Sequence, residues 1–566
     1  LTITLPDFGK ELQKALDQGH VDRRLFTGFR RKGELPLFLG GFLDRVFDRD
    51  SGRLFNDPDI DAILALRQLT LMFGKILLPS SDARFRGAMK GYVDCEQDVR
   101  HADILRTSEQ RSDFLRVSAV LFSASFTKMD RKIHDLELVP KHGPGSTADR
   151  LLGNQKWNQR TWTTRLERIL PAGEFLLPNW RYYDQLDEVD ILEPGSEIPV
   201  RVIAVPKTLK TPRIIGIEPT AMQYAQQSIL PVILDSLSKG LTSKDYEDDS
   251  LSKMLGFEDQ EPNQLMALEG SREGNLATLD LSEASDRVSN QLVRDLFSRW
   301  PHLHEAVDAS RSRKADVPGH GVIRLAKFAS MGSALCFPVE AMVFLTLIFM
   351  GIEKELKRPL TRSDVKRYSD QVRVYGDDIV CPVDTVHPVV SMLESFGTQV
   401  NRSKSFWNGK FRESCGKEYY DGHDVSIVKV RRVFPTQRQD AQEVISLISL
   451  RNQLYFAGYW RTCQWLDDHI RGLINHFPVV LPSSPVQGRH SFLGYETQKL
   501  CHELHRPLVR GYVVNADIPK NSLDDVGALT KYLYKRSDMP FADERHLERS
   551  GRPAAVNLKL RYATPY

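Results

Sequence analysis

The chain of 566 residues lacks the features that would classify it at a glance. Its six cysteines are scattered at Cys95, Cys336, Cys381, Cys415, Cys463 and Cys501. With no close pair among them, neither a zinc ribbon nor a disulfide scaffold is expected, and a reducing compartment is. No sign of charge dominates: 77 lysines and arginines face 74 aspartates and glutamates, for a net +3. A uniformly basic coat is thereby excluded, and any nucleic-acid surface must be local. Long hydrophobic runs are missing as well. The most apolar stretch, 341–352, is bounded by Glu340 and Glu353 and is far shorter than the roughly 20 residues a membrane span requires, so it reads as a buried helix. Asp7, Lys10 and Glu11 stand where a secretory leader would be apolar, so export is not expected, and the first residue is Leu1 rather than Met. Repeats and low-complexity tracts are absent. What is present, 41% hydrophobic, 27% charged and 9% aromatic residues, suits a folded chain of several domain-sized units or one enzyme with subdomains.

Residues 1 to about 140 mix amphipathic stretches such as 61–78 with charged loops and carry no motif assignable to chemistry. The run 141–154 is turn-rich, and Gly143-Pro144-Gly145 predicts a tight exposed bend. Two β-rich runs, 200–205 and 213–217, flank a basic loop and predict a hairpin carrying cations. The acidic connection 239–275, with Asp245-Tyr246-Glu247-Asp248-Asp249-Ser250 at its centre, reads as a solvated insertion or flexible finger. Leu276–Leu281 is a short β-type run, and Val288, Leu292, Val293, Leu296 and Trp300 follow at helical spacing, with Ser285 near the helix start. Downstream, 372–383 is two β-branched runs interrupted by Tyr375-Gly376-Asp377-Asp378, a hairpin signal with glycine in first place. Val389, Val390, Leu393 and Phe396 then form a helix stopped by Gly397. Strand, helix, hairpin, helix is the order of an antiparallel sheet with helices on one face, an α+β fold. Beyond about 432 the pattern turns mainly helical, with an apolar run from Val444 to Ala457.

Asp280 ends one strand and Asp377 and Asp378 sit at a hairpin tip, so adjacent strands would bring three carboxylates together. They would repel unless a divalent cation neutralised them, and Mg²⁺ prefers carboxylate, water and phosphate oxygens. Two such ions about 3.5 to 4 Å apart can serve both oxygens of an in-line phosphoryl transfer. A Gly-Asp-Asp alone is more often a surface turn, but here both flanks are apolar β-runs and a matched strand supplies the third acid. Cations for substrate phosphates stand in the hairpin loop, Lys207, Lys210 and Arg213 with Arg201 nearby, although a solvated charged loop is equally compatible. Ser330 and Gly332 lie in a small-residue turn that either approaches a nucleotide or caps the apolar helix. From 401 to 432, Arg402, Lys404, Lys410, Arg412, Lys417, Lys429, Arg431 and Arg432 alternate with Phe406, Trp407, Phe411, Tyr419 and Tyr420. That interleaving suits a nucleic-acid backbone and its bases, with a half-buried charged-edge sheet as the competing account. Cys501, His502 and His505 offer no metal spacing.

Taken in order, these segments resemble the RNA-directed RNA polymerases, and among them the replicase β subunit of positive-strand RNA bacteriophages, the leviviruses. Val205–Pro219 is similar to the family's basic fingers motif, Leu276–Ser289 to its first metal motif and Ala329–Glu340 to its template and nucleotide loop. Val374–Ile379 is similar to the second metal motif, Phe411–Gly422 to a phage-specific block, and 143–154 extends the likeness upstream. The resemblance implies a right-hand polymerase with fingers, palm and thumb. The divisions expected are 1–275 for the N-terminal region and fingers, 276–432 for the palm, and 433–566 for a mainly helical thumb and C-terminal region.

By that resemblance Asp280, Asp377 and Asp378 are the ligands of two Mg²⁺ ions, with Mn²⁺ as a substitute. Lys207, Lys210 and Arg213 grip the incoming triphosphate, and Lys404 protonates departing pyrophosphate. Tyr375 and Gly376 lie near the primer end, Ser330 and Gly332 near the templating pair, and Asp286 or Ser285 senses the ribose 2′-hydroxyl. One departure stands out: many viral polymerases carry an asparagine where this chain has Val339-Glu340-Ala341, a replacement the phage family shares. The implied partners are single-stranded RNA template and product, nucleoside triphosphates, and host elongation factors Tu and Ts with a host RNA-binding ribosomal protein. No membrane is implied, and the implied location is the cytoplasm of the bacterial host. The rival readings are a reverse transcriptase, against which Gly376 and the block 411–422 speak, and a non-catalytic RNA-binding virion protein.

Overall fold

The computed structural model describes residues 2–208, 210–238, 241–243, 246–521, 523–534, 553 and 555–566. The N-terminal part is largely helical, and three of its helices bear on the site. α1 (Thr4–Gln18) buries Phe8, Leu12 and Leu16 at helical spacing in a core that also holds Phe406, Phe411, Tyr420 and Val425. The start of the chain therefore packs on a block some four hundred residues away. α2 (Asp82–Leu105) begins at Ser81, whose side chain caps it. α3 (Ser108–His134) starts with a capping box between Thr107 and Gln110 and buries Phe114, Val117, Leu121, Phe122, Phe126 and Met129. That apolar stripe is what drives a long helix against a core. The bend at Gly143-Pro144-Gly145 lacks regular structure and exposes Pro144, as expected. It is nonetheless anchored, because the buried Lys156 ammonium donates to the carbonyls of Gly143 and Gly145.

Two sheets position the functional residues. β1 (Val200–Val205) and β2 (Arg213–Ile217) form the expected antiparallel hairpin, with Val205 opposite Arg213. α4 (Thr220–Ser238) follows. Of the acidic connection 239–275, Lys239, Gly240, Lys244 and Asp245 lie outside the described residues. The rest corrects the expectation of a solvated insertion: it holds a short hairpin, a helical turn at Ser250–Met254 and α5 (Glu261–Glu273). α5 begins with Pro262 and ends at Gly274 in the left-handed conformation, start and stop signals that the acidic run obscured.

The second sheet starts with β3 (Leu276–Ser282). The helix after it, α6 (Asn290–Phe297), is capped by Ser289 rather than Ser285, because 284–287 first form a 3₁₀ turn. β4 (Lys314–Val317) and β5 (Gly321–Arg324) extend the first sheet, in the order β5-β4-β1-β2. α7 (Cys336–Leu356) is apolar on all sides and buried from Val339 through Ile352. By length and composition it could cross a membrane, but 89% of its apolar window is inside the protein. β6 (Arg373–Tyr375), β7 (Asp378–Pro382), α8 (Val386–Ser395) and β8 (Gln399–Val400) complete the unit. The strand order is β6-β7-β3-β8, and every pair is antiparallel. Ala277, Leu279 and Leu281 join α7 and α8 in the main core. Thr278 faces the other way and accepts a hydrogen bond from the Glu413 backbone. α7 and α8 approach so closely at Gly351 that a Cβ there would lie 2.6 Å from Val389 Cα.

β9 (Phe411–Ser414) and β10 (Lys417–Tyr420) form a small sheet beside β3. This is the half-buried sheet, not a stacking platform. Phe406, Phe411 and Tyr420 are core residues, and Arg412 is buried with its guanidinium on the carbonyls of Leu276, Gly409 and Phe411. Lys410 pairs with Asp421 and Lys417 with Asp424. The C-terminal part is helical in α9 (Ala441–Phe456) and α10 (Trp460–Leu473) and again at Val526–Tyr534. Between and after these helices it also holds strands, where β11 (Pro507–Asp517) pairs from Val509 onward with β12 (Ala555–Ala563). The apolar run Val444–Ala457 falls mostly in α9, while the β-branched pair Val513-Val514 and the alternation in 556–562 mark the two strands that the sequence reading did not name.

Candidate active site

The register of the second sheet sets the carboxylates. β7 pairs with β3 so that Asp378 faces Asp280 directly. Asp377 occupies the two-residue loop between Tyr375 and Asp378, which are themselves partners. Gly376 opens that loop with φ +60°, the left-handed position that a tight hairpin beginning with glycine uses. A Cβ there would also lie 2.5 Å from Phe337 Cε2. Glycine is thus required twice, once by the turn and once by the α7 aromatic beneath it.

Asp280 is engaged by two donors. Asn401 Nδ2 donates to Oδ2 at 2.8 Å and Lys404 Nζ to Oδ1 at 3.1 Å. Burial nevertheless outweighs them, and with Asp377 nearby it holds the Asp280 carboxyl above the usual range. Burial, then Asp377 and Asp280, push Asp378 up to about 6. Among the described residues no three such side chains already close into an ion cage. The donor set still has the chemistry for one: three mutually repelling carboxylates whose elevated proton affinity a divalent cation would relieve.

Cations border the cluster unevenly. Burial opposes the charge on Lys404, but Asp280, Glu413 and Asp377 prevail and hold its ammonium above the usual lysine range. Lys207 is held below that range, by burial first and then by Arg213 and Lys404, while Asp377 and Asp280 act in the opposite sense. Lys207, Arg213 and Lys404 thus share the field of the carboxylates. Lys210 does not join them in this arrangement: its ammonium sits between the two oxygens of Asp7, at 2.7 and 2.6 Å. Arg201 lies in β1 and points a guanidinium nitrogen to the Thr147 carbonyl at 3.5 Å.

The small-residue loop is built around close approach to the basic hairpin. Gly332 has φ +127°, and a Cβ on it would fall 2.1 Å from the Gly216 carbonyl oxygen. Gly216 N donates to the Met331 carbonyl at 2.9 Å. Ser330 is buried, with Oγ 2.6 Å from the Tyr92 hydroxyl of α2. Asp286 accepts from the buried Lys327 ammonium at 2.9 Å. Ser285 is buried beside it. Glu340 on α7 is buried, and burial followed by Asp377 and Asp286 holds its carboxyl well above the usual range.

Several neighbours escaped the sequence reading. Asn401 and Ser405, whose Oγ accepts from the Asp280 backbone at 3.1 Å, look like ordinary loop residues until β8 brings them to β3. Glu413 is pushed up to about 7 by burial and by Glu418, with Asp378 and Asp280 acting in the same sense, and it helps hold the Lys404 ammonium above the usual lysine range. Its place in an alternating strand facing Thr278 was the available signal. Lys75 is held below the usual lysine range by burial first and then by the charges of Lys429, Arg431 and Lys404, with Glu413 acting in the opposite sense.

Known proteins resemble this region. Residues 197–468 match the family model described as RNA replicase, beta-chain. The RNA-directed RNA polymerase subunit beta of Qbeta virus (strain MX1) is 33% identical over 257 residues, 45% of this chain and 38% of that protein. The subunit of the same name from Enterobacteria phage SP is 33% identical over 246 residues, 44% of this chain and 38% of that protein. The chain therefore spans little more than a third of the length of these relatives in the match. Among solved structures, the RNA-dependent RNA polymerase of BmCPV in its quiescent state is similar at a TM-score of 0.40 and 11% identity, over 65% of this chain and 32% of that one. That likeness is too slight to add to the assignment. The sequence match falls on the carboxylate-bearing antiparallel sheet: residues 197–468, which match the RNA replicase beta-chain family model, contain β3, β6 and β7 and the three carboxylates on and between them.

Proposed function

We propose that the chain is an RNA-directed RNA polymerase, the catalytic subunit of a phage replicase, copying single-stranded RNA from nucleoside triphosphates with release of pyrophosphate. The observation that carries this reading is the direct opposition of Asp280 and Asp378 across β3 and β7 with Asp377 in the adjoining loop. Asp280, Asp377 and Asp378 would hold divalent ions, Mg²⁺ or in its place Mn²⁺, in a two-ion site. Bound there, such ions supply Lewis acidity to a nucleotidyl transfer.

The chain's own residues do the rest. Lys207 and Arg213 bind the triphosphate, Lys210 joining them on release from Asp7. Lys404, a charged ammonium bonded to Asp280, supplies a proton and a positive charge to the departing pyrophosphate. Ser330 and Gly332 set the template-side surface against β2, and Asp286 reads the sugar. Residues 1–275, 276–432 and 433–566 serve as N-terminal region with fingers, palm, and thumb with C-terminal region. The working location is the host cell cytoplasm, and host elongation factors Tu and Ts with a ribosomal protein are the associated partners.

The test is nucleotide incorporation on an RNA template with Mg²⁺ by the full chain expressed with and without host extract. Incorporation that the Asp377→Asn substitution abolishes supports the reading. Incorporation of deoxynucleotides in preference would make the protein a reverse transcriptase, and RNA binding without incorporation under any metal would make it a binding protein.

A further inference from the structure

Lys327 is fully buried, and its ammonium has three neighbours. Asp286 Oδ1 lies at 2.9 Å, Glu96 Oε1 at 3.2 Å and the centroid of the Tyr92 ring at 3.6 Å. Glu96 turns its second oxygen to the backbone N–H groups of Ala326 and Lys327. Tyr92 and Glu96 stand four residues apart on α2, so one helix face presents both. The same Tyr92 hydroxyl holds Ser330 Oγ at 2.6 Å, and Cys95 between them donates to the Asp286 carbonyl at 3.4 Å. A helix whose sequence carries no recognisable chemistry therefore grips both Asp286 and the small-residue loop.

Ion groups this deeply buried are costly to desolvate, and an apolar side chain of similar volume would pack at least as well. What an ammonium does and a methionine does not is fix the direction of the Asp286 carboxylate. Asp286 sits in the 3₁₀ turn that directly follows β3, six residues after Asp280 on the same chain segment. A ribose differs from a deoxyribose by one hydroxyl, and discrimination of that kind depends on an acceptor held rigidly in place.

We propose that Lys327 is a positioning residue for nucleotide selection, holding Asp286 at the sugar of the incoming nucleotide. This rests on the polymerase reading above. The 2′-hydroxyl donates to the immobilised Asp286 carboxylate, and Glu96 completes the charge balance around the buried amine.

The experiment compares ATP and dATP incorporation on an RNA template by the full chain, its Lys327→Met, Lys327→Arg and Asp286→Asn variants, and the Lys327→Met/Asp286→Asn double variant, with folding checked by thermal unfolding. Lys327→Met and Asp286→Asn should each lower the preference for ATP at least about tenfold, through a higher KM for ATP with dATP kinetics little changed. Because Lys327 acts through Asp286, the double variant should be no worse than either single one. A folded Lys327→Met protein with unchanged preference, equal losses for both nucleotides, or additive effects in the double variant would overturn the proposal. Should Lys327→Met fail to fold, Lys327→Arg decides: it keeps a positive charge beside Glu96 and displaces the donor that orients Asp286. A preference lowered roughly twofold or more supports the proposal, and an unchanged one overturns it. A parent protein that incorporates neither nucleotide refutes the polymerase reading instead.

Discussion

Asp378 and Asp280 are cross-strand partners, face to face on antiparallel β7 and β3. Like charges directly opposite on a sheet destabilise it, and here burial adds to their repulsion. Such an arrangement persists where something other than stability requires it, which is the physical content of a metal-binding reading.

The strain of this pair has a pH signature in metal-free protein. Asp378 is raised from 3.8 to about 6, so its contribution to stability is complete below the unfolded value and lost as pH rises through the folded one. Asp378→Asn removes that loss. The variant should gain on the parent protein by up to about 3 kcal/mol between pH 4 and pH 7, measured by denaturant unfolding in the presence of a chelator. An equal difference at both pH values would contradict it.

Lys404→Met should lower the rate of nucleotide incorporation about a hundredfold with little change in KM. Removal of the ammonium also leaves Asp280 with Asn401 as its side-chain donor, which raises its carboxyl further. Single-turnover incorporation at saturating nucleotide checks the first effect.

The two hairpin lysines should behave differently. Lys207 shares the field of Asp280 and Asp377, whereas Lys210 is paired with Asp7. Lys207→Ala should raise KM for nucleotide roughly tenfold or more, and Lys210→Ala by about threefold or less. Steady-state titration of one nucleotide on a fixed RNA distinguishes them.

Gly376→Ala should destabilise the protein by about 2 to 4 kcal/mol, combining a positive φ with overlap on Phe337. Gly332→Ala should be at least as damaging, since its Cβ would meet the Gly216 carbonyl oxygen, a backbone atom with no rotamer to yield. Thermal unfolding reads both.

The legibility of the site followed the range of the interactions. Strand runs, the glycine-first hairpin and the β1–β2 pair are local patterns, so Asp280, Asp377, Asp378 and the basic loop could be named from sequence. The contacts that orient them are not local. Lys327 meets Glu96, Lys210 meets Asp7, and Asn401 meets Asp280 across long stretches of chain, and nothing in spacing announces such pairs. The aromatics of 401–432 misled for a related reason: alternating aromatic and basic residues describe a stacking surface and a half-buried strand equally well. Only the burial of Phe411 in the core with α1 and of Arg412 against the start of β3 decides between them. In the C-terminal part, a strong helical run drew attention from the weaker two-residue alternation of β11 and β12.

The most direct test is anomalous diffraction from crystals of the full chain soaked with Mn²⁺. The account predicts a manganese peak at the junction of β3 and β7, within coordination distance, roughly 2.0 to 2.3 Å, of a carboxylate oxygen of Asp280 and of Asp377 or Asp378, and its loss in the Asp280→Asn protein. Manganese bound elsewhere while this junction stays empty at concentrations that support nucleotide incorporation would contradict it.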